Sequence, residues 1–323
     1  MGYARTEEEA TAIHNYFETN LPEYTFADLG FKEKLWLFQA HLWYSFITQN
    51  FLNAFKYSSK WIDLFNDNKH LIPVHPVFYL KGNHYLLESL FYLNHTSTFE
   101  KVLHRFEDTL KNPKIPDDDN IASLSFLYLY ENKLNLRFMK GEFHGGETLV
   151  EKIDQKIKRF KGKIDEHHIM VFYYKIASLY FGDGNNKKCI EYLGKIIQNK
   201  SLEMREDLMC FSRILSLVAH YEAGMDYHLE RLIKSTYKFL IRMNDLHEVQ
   251  KEMIKFLRNL PDVSPLDIKD EFRKLHVTLK RYEDHPYERR AFLYLDIISW
   301  LESKIDNRPV ADVIKEKVND YAR

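Results

Sequence analysis

The sequence predicts an all-α protein, a right-handed superhelical array of antiparallel helix pairs forming one continuous domain over 1–323. Three observations predict it. Helix breakers are scarce, with 11 Gly and 9 Pro in 323 residues, against ordinary usage of about 7% and 5%. Apolar residues recur at helical spacing in segment after segment, and no stretch carries the period-2 alternation of a strand. Turn residues recur as well: Asn50, Ser97, Gly141, Gly184 and Gly224 lie 47, 44, 43 and 40 residues apart, with two helical runs in each interval. A period of that length is the mark of stacked helix pairs, each sealing the apolar side of the one before.

The elements follow in order. A first helix over Thr6–Thr19 ends at Asn20-Leu21-Pro22. Leu29–Thr48 carries Leu35, Phe38, Leu42 and Phe46 along one side, and Phe51–Phe65 answers with Ala54, Phe55, Ser58 and Ile62. Pro73 and Pro76 punctuate before the pair Val77–Leu93 and Thr98–Leu110. The loop around Asp117-Asp118-Asp119 supplies carboxylates suited to the N-terminus of the next helix, which explains them better than a metal site does. Ile121–Lys140 pairs with Thr148–Phe160, Asp165–Phe181 with Lys187–Gln198, and Arg205–Ala223 with Tyr227–Arg242. Leu246–Leu260 stops at Pro261; Pro265–Tyr282, Tyr287–Ile305 and Val310–Tyr321 finish the chain. The helices of 264–323, with Phe292, Leu295, Ile298 and Leu301 on one side, would cap the array or form a homodimer seam.

One stretch carries a recognisable signature. Tyr173, Ile176, Ala177, Tyr180, Gly184, Cys189, Leu193 and Ile196 are spaced so that small Ala177 and Cys189 let two helices approach, Gly184 permits the turn and Tyr180 fills the crevice. In that order and spacing the stretch resembles a tetratricopeptide repeat. Cys stands where Ala is usual, and Ser201 where a Pro often opens the next unit. Tyr130-Leu134-Gly141-Gly146-Val150 resembles the same motif with Arg137 in place of the aromatic. More broadly, segments such as FLNAFKYSSKWIDLF and ENKLNLRFMKGEFHGGETLVEKI resemble tetratricopeptide-like proteins of Bacteroidetes-type bacteria. The resemblance implies a TPR-like α-solenoid acting as a protein-binding scaffold, without naming a partner.

In that repeat class the first helix of each pair lines the concave side. Carrying the motif over places Tyr128, Glu131, Asn135 and Phe138 inward from one pair, and Val171, Tyr174, Ser178 and Phe181 from the next. The following pair contributes Phe211, Ile214 and Tyr221. This lining is aromatic and weakly polar, suited to an extended or helical peptide, with Asn135 bonding its backbone. It lacks the inward Lys/Arg clamp by which some tetratricopeptide domains hold a C-terminal carboxylate, so that activity is not expected. The competing explanation is that these aromatics pack against neighbouring or C-terminal helices.

No catalytic residue, cofactor or metal site is expected. Gly182-Asp183-Gly184-Asn185-Asn186-Lys187-Lys188 follows a helix rather than a strand and ends in Cys189, so it reads as a repeat turn and not a phosphate loop. None of the 15 histidines pairs at i,i+3 or i,i+4, and two cysteines without a CxxC cannot make a thiolate zinc site. Cys189 and Cys210 sit on apolar faces as small hydrophobes, which fits a reducing cytoplasm. The N-terminal MGYARTEEEATA lacks the apolar core of a signal peptide, and no run of about eighteen apolar residues predicts a membrane span.

A formal net charge of −1 gives no overall steering toward nucleic acid or anionic membrane, so neither is expected as a general partner. The strongest local charge run is Lys152, Lys156, Lys158, Arg159, Lys161 and Lys163, alternating with Ile153, Ile157, Phe160 and Ile164. Its ordinary meaning is a solvated outer face. The function expected is therefore a non-enzymatic protein–protein interaction scaffold holding a peptide or partner helix in a concave groove. The alternatives are nucleic-acid or acidic-partner binding through 152–163, or an enzymatic pocket built from residues that converge only in space.

Overall fold

The computed structural model describes every residue except 1, 2, 113, 114, 117, 200–205, 244–246, 289–291, 293–295, 322 and 323. Fifteen α-helices run through the described residues. They are α1 Glu7–Asn20, α2 Phe31–Ile47, α3 Phe51–Asp67, α4 Pro76–Tyr92, α5 Thr96–Leu110, α6 Asp119–Met139, α7 Glu147–Arg159 and α8 Glu166–Gly182, then α9 Asn186–Ile197, α10 Glu206–Glu222, α11 Asp226–Arg242, α12 Glu248–Asn259, α13 Ile268–Lys280, α14 Ile297–Asp306 and α15 Val310–Tyr321. Among the described residues there is no strand, only an isolated bridge between Lys161 and Ile164. The fold is all-α, with helices packed on their neighbours in sequence. It divides into two compact units, Met1–Met139 and Lys140–Arg323.

Local chemistry starts and stops these helices where it should. Thr6, Asn50, Asp165, Asn185 and Asp296 each accept a hydrogen bond from the backbone N–H three residues on, satisfying a donor that the first turn leaves unpaired. Asp118 does the same for α6, its Oδ1 accepting from the Asn120 and Ile121 amides at 2.9 Å, as the capping explanation of the acidic loop requires. Two departures concern the C-terminal part. The helix expected over Pro265–Tyr282 begins only at Ile268, and that expected over Tyr287–Ile305 has a turn at Tyr287 and Glu288 and a fresh N-cap at Asp296, where Ile297–Asp306 begins. Asp117, Ser201, Arg205, Leu246 and Leu295 lie outside the described residues.

The repeat is written most plainly in the turns. Gln49, Asn94, Gly141, Gly184 and Gly224 all take positive φ, between 55° and 77°. At four of them the following amide reaches back to the carbonyl five residues earlier: Asn50 to Ser45, His95 to Leu90, Asn185 to Tyr180 and Met225 to His220, at 2.8 to 3.0 Å. That is one Schellman-type C-cap used again and again. The first two turns therefore pivot on Gln49 and Asn94 rather than on the Asn50 and Ser97 that the sequence spacing picks out.

In the first unit the core lies between α2, α3 and α4. Leu35, Phe38 and Leu42 of α2 face Ala54, Trp61, Ile62 and Phe65 of α3, all buried, each large side chain contributing about 1.5–3 kcal/mol of transfer free energy. Trp61 lies against Gly82 of α4 and donates its indole N–H to the Phe78 carbonyl at 3.1 Å. In the second unit α8 and α9 form the antiparallel hairpin expected of Tyr173–Leu193, with Ile176, Ala177, Cys189 and Leu193 wholly buried. Farther along, Trp300 and Lys304 of α14 both hold Glu222 at the end of α10, at 2.8 and 2.6 Å. Lys317 of α15 and His276 of α13 share Glu302. These ties bind the C-terminal helices to the second unit.

Candidate functional site

The first unit presents a mixed aromatic and polar face along α2, α4 and α6. Helical periodicity puts Leu35, Phe38, Leu42 and Phe46 into the core, which turns Trp36 and Trp43 away from it by about a third of a turn. Both are exposed, 58% and 42% respectively. Trp43 lies close enough to Tyr85 of α4 to act on its phenol. Burial outweighs the opposing effect of Trp43 and pushes the Tyr85 phenol above its ordinary range, so it is neutral at any physiological pH.

Next to it, His84 stacks on Tyr128 of α6 with ring centroids 4.5 Å apart. The Asn132 amide donates to the Tyr128 carbonyl at 2.8 Å and lies 3.3 Å from His84 Nδ1, while Asn135 donates to Asn132 Oδ1 at 3.3 Å. With Nδ1 accepting from an amide, the imidazole proton sits on Nε2, which points to Glu88 at 3.8 Å. The result is a polar ladder, Glu88–His84–Asn132–Asn135, with Tyr85 between His84 and Trp43. Among the described residues, no group of three His, Cys, Asp or Glu is placed to hold a metal ion.

The residues that the repeat register points inward fare differently. Tyr128, Glu131 and Asn135 are buried in the first unit, and Phe138 is half-buried. In the second unit Tyr174, Phe181, Phe211 and Ile214 are buried, while Val171, Ser178 and Tyr221 are half-buried. Ser178 donates its hydroxyl back to the Tyr174 carbonyl at 3.0 Å, and Tyr221 packs on Phe272. Tyr174, Phe211 and Ile214 meet Gln250 and Met253 of α12 and Ile297 of α14 around a void that takes about one water molecule. Gln250 Nε2 is buried beside it without a partner, which suits a bridging water. Tyr174, Phe211 and Ile214 are thus covered by the chain's own later helices.

Sequence reasoning missed Trp36, Trp43, His84, Tyr85 and Glu88. The available signal was that Trp36 and Trp43 stand seven residues apart, outside the apolar stripe of their helix.

Fold and face together define a class: an all-α array of neighbouring helix pairs, compatible with a helical-repeat protein. No family model matches the chain, and no curated protein matches it. Among the described residues, no helix is long and apolar enough to cross a membrane.

Proposed function

We propose that the protein is a tetratricopeptide-like, non-enzymatic interaction scaffold of the bacterial cytoplasm. Its first unit would bind an extended or helical segment of a partner protein along α2, α4 and α6. The observation that carries this reading is the exposure of Trp36 and Trp43 on α2, with Trp43 near Tyr85, whose ring packs on His84 of the His84–Glu88 pair. Half-exposed indoles leave about 100 Å² each in water, so covering both would release about 5 kcal/mol before the costs of association. Aromatic anchors of this kind dominate partner binding, and neighbouring His and carboxylate groups are suited to a partner's backbone amides. The repeated Schellman turns and the 40-residue-class period support the tetratricopeptide-like assignment.

The test is a comparative pull-down from the native cell with wild type, Trp36→Ser/His84→Ala and Lys101→Ala. Partners lost from the double variant and retained by Lys101→Ala support the assignment. Retention of every partner by the double variant removes the groove.

A further inference from the structure

We propose that the C-terminal end of α7 and the turn that follows it bind the phosphodiester backbone of a nucleic acid. This surface lies in the second unit and is independent of the aromatic face described above. Between Asp154 and Asp165 the chain has no carboxylate but five cations, Lys156, Lys158, Arg159, Lys161 and Lys163. Four exposed cations elsewhere are paired within their own helix, Lys234 with Glu230, Lys251 with Glu248, Arg273 with Asp270 and Lys274 with Glu271, at 2.5–2.6 Å. Among the described residues, Lys152, Lys156, Lys158, Arg159 and Lys161 pair with no carboxylate.

The helix dipole accounts for part of this. Cations in the last turn of α7 favour its negative end, which covers Lys156, Lys158 and Arg159. Lys161 and Lys163 lie beyond the helix, and Lys152–Lys156 and Lys156–Arg159 are like-charge neighbours at i,i+4 and i,i+3, which destabilise a helix. The dipole therefore leaves Lys161, Lys163 and the like-charge spacing unexplained.

The cations are also held in place. Phe160 and Ile164, 2% and 8% exposed, anchor the turn on either side. The Lys161–Ile164 bridge closes it, and Gly162 takes φ +81° with nothing within 4 Å of where a Cβ would sit. Lys156 and Arg159 cover the Phe160 ring at 5.9 and 5.3 Å. Lys158, Arg159, Lys161 and Lys163 are all exposed, so the charges project from a fixed backbone.

The absence of apolar anchors identifies the polyanion. Among the described residues from 75 to 236, no large hydrophobic side chain is exposed. A protein partner draws most of its binding energy from buried aromatic or aliphatic anchors. A nucleic acid needs none, because neutralised phosphates release condensed counterions. A rigid surface of clustered cations, of which Lys156, Lys158, Arg159 and Lys161 pair with no carboxylate among the described residues, therefore fits phosphate backbone better than an acidic protein. The overall charge of −1 confines the attraction to this patch at physiological salt, where screening acts within about 8 Å.

Fluorescence anisotropy with a labelled duplex of about 20 base pairs, from about 50 to about 200 mM salt, tests the proposal. Neutralising five phosphates predicts a log–log salt slope of about −4.5, and losing three of the five contacts moves it to about −2. Lys158→Glu/Arg159→Glu/Lys161→Glu is expected to weaken binding more than tenfold. Lys101→Glu/Lys238→Glu/Lys269→Glu, with the same change in net charge, should stay within about twofold of wild type if the patch is specific. The neutral Lys158→Gln/Arg159→Gln/Lys161→Gln variant should fall between, which separates lost contacts from misfolding. The proposal is overturned by no binding at the lowest salt, or by equal losses in the two reversal variants. It is also overturned if polyglutamate of matched charge displaces the probe at lower concentration than unlabelled duplex does.

Discussion

Gly82→Ala should destabilise the first unit, although it replaces a glycine inside a helix. By propensity alone the change in α4 gains about 1 kcal/mol. The new Cβ, however, would lie 2.7 Å from Trp61 Cδ1 and Nε1 and 3.0 Å from Ile62 Cδ1. Ordinary carbon contacts begin about 0.7 Å farther out, and Trp61 has no room to retreat: it is fully buried and its N–H is held by the Phe78 carbonyl. Overpacking of this kind costs about 1–3 kcal/mol, and loosening the indole hydrogen bond about 1 more. The clash wins, for a net loss of about 1–3 kcal/mol. Urea unfolding followed by tryptophan fluorescence reads it, because Trp36, Trp43 and Trp61 lie in the first unit and only Trp300 in the second. Trp61→Phe supplies the cross-check. It leaves a smaller ring beside residue 82, so it should cost about 1 kcal/mol less in the Gly82→Ala background than in wild type. A raised urea midpoint for Gly82→Ala, or strict additivity in the cycle, would refute the reasoning.

Two further outcomes follow from titratable groups. Glu288, 9% exposed, caps α12 from forty residues downstream, its carboxylate accepting from the Glu248 and Val249 amides at 3.1 and 3.3 Å. Burial raises its pKa, but hydrogen bonds from His247 and the two amides outweigh burial and hold it below the ordinary 4.5. A depressed carboxyl stabilises the fold above its ordinary value and loses that contribution as pH falls through the lowered one. Glu288→Gln should therefore cost about 1–2 kcal/mol at neutral pH and flatten the acid limb of a urea-midpoint titration; an unchanged acid limb would count against it. His41 lies edge-on to Phe17 of α1 at 5.1 Å and stacks on Tyr57 at 4.3 Å. Burial lowers its pKa from 6.5; Glu18 opposes this, while Lys60 and Lys56 add to it. A lowered histidine stabilises packing above its ordinary value and ceases to as pH falls through the lowered one. Since α1 buries none of its own residues, its amides should exchange faster, after correction for intrinsic rates, as pH drops below 6.5. His41→Phe should remove that acceleration; a variant that keeps it clears His41 of the role.

Much of the fold was legible because helix formation here is governed by local rules. Few breakers, apolar stripes at helical period and cap residues put nearly every helix within a few residues of its place. The turns show where local reading ends. At Gly141, Gly184 and Gly224 the residue type itself announces a left-handed backbone. Gln49 does the same work with a side chain that does not announce it, and Asn94, a residue type that tolerates that backbone, is one of several polar residues in its turn, so the two turns are displaced by one and three residues from the spacing-based markers Asn50 and Ser97. The left-handed cost at those two positions is offset by the Schellman hydrogen bonds they permit.

The site was less legible, for a reason the second unit makes concrete. Motif register places Tyr174, Phe211 and Ile214 on one side of their helices, and that much is local. Whether such a side is groove or core depends on what returns to cover it, here Gln250, Met253 and Ile297, thirty-five or more residues farther along the chain. No period in the sequence encodes that return. Exposure in the first unit obeys the opposite logic. Once Leu35, Phe38, Leu42 and Phe46 are assigned to the core, helical geometry alone requires Trp36 and Trp43 to face elsewhere. Treating aromatic richness as packing throughout hides these two. An aromatic off the stripe of its own helix is set by its neighbours, and at Trp36 and Trp43 they leave the residues 58% and 42% exposed, which a reading of the helix alone does not predict.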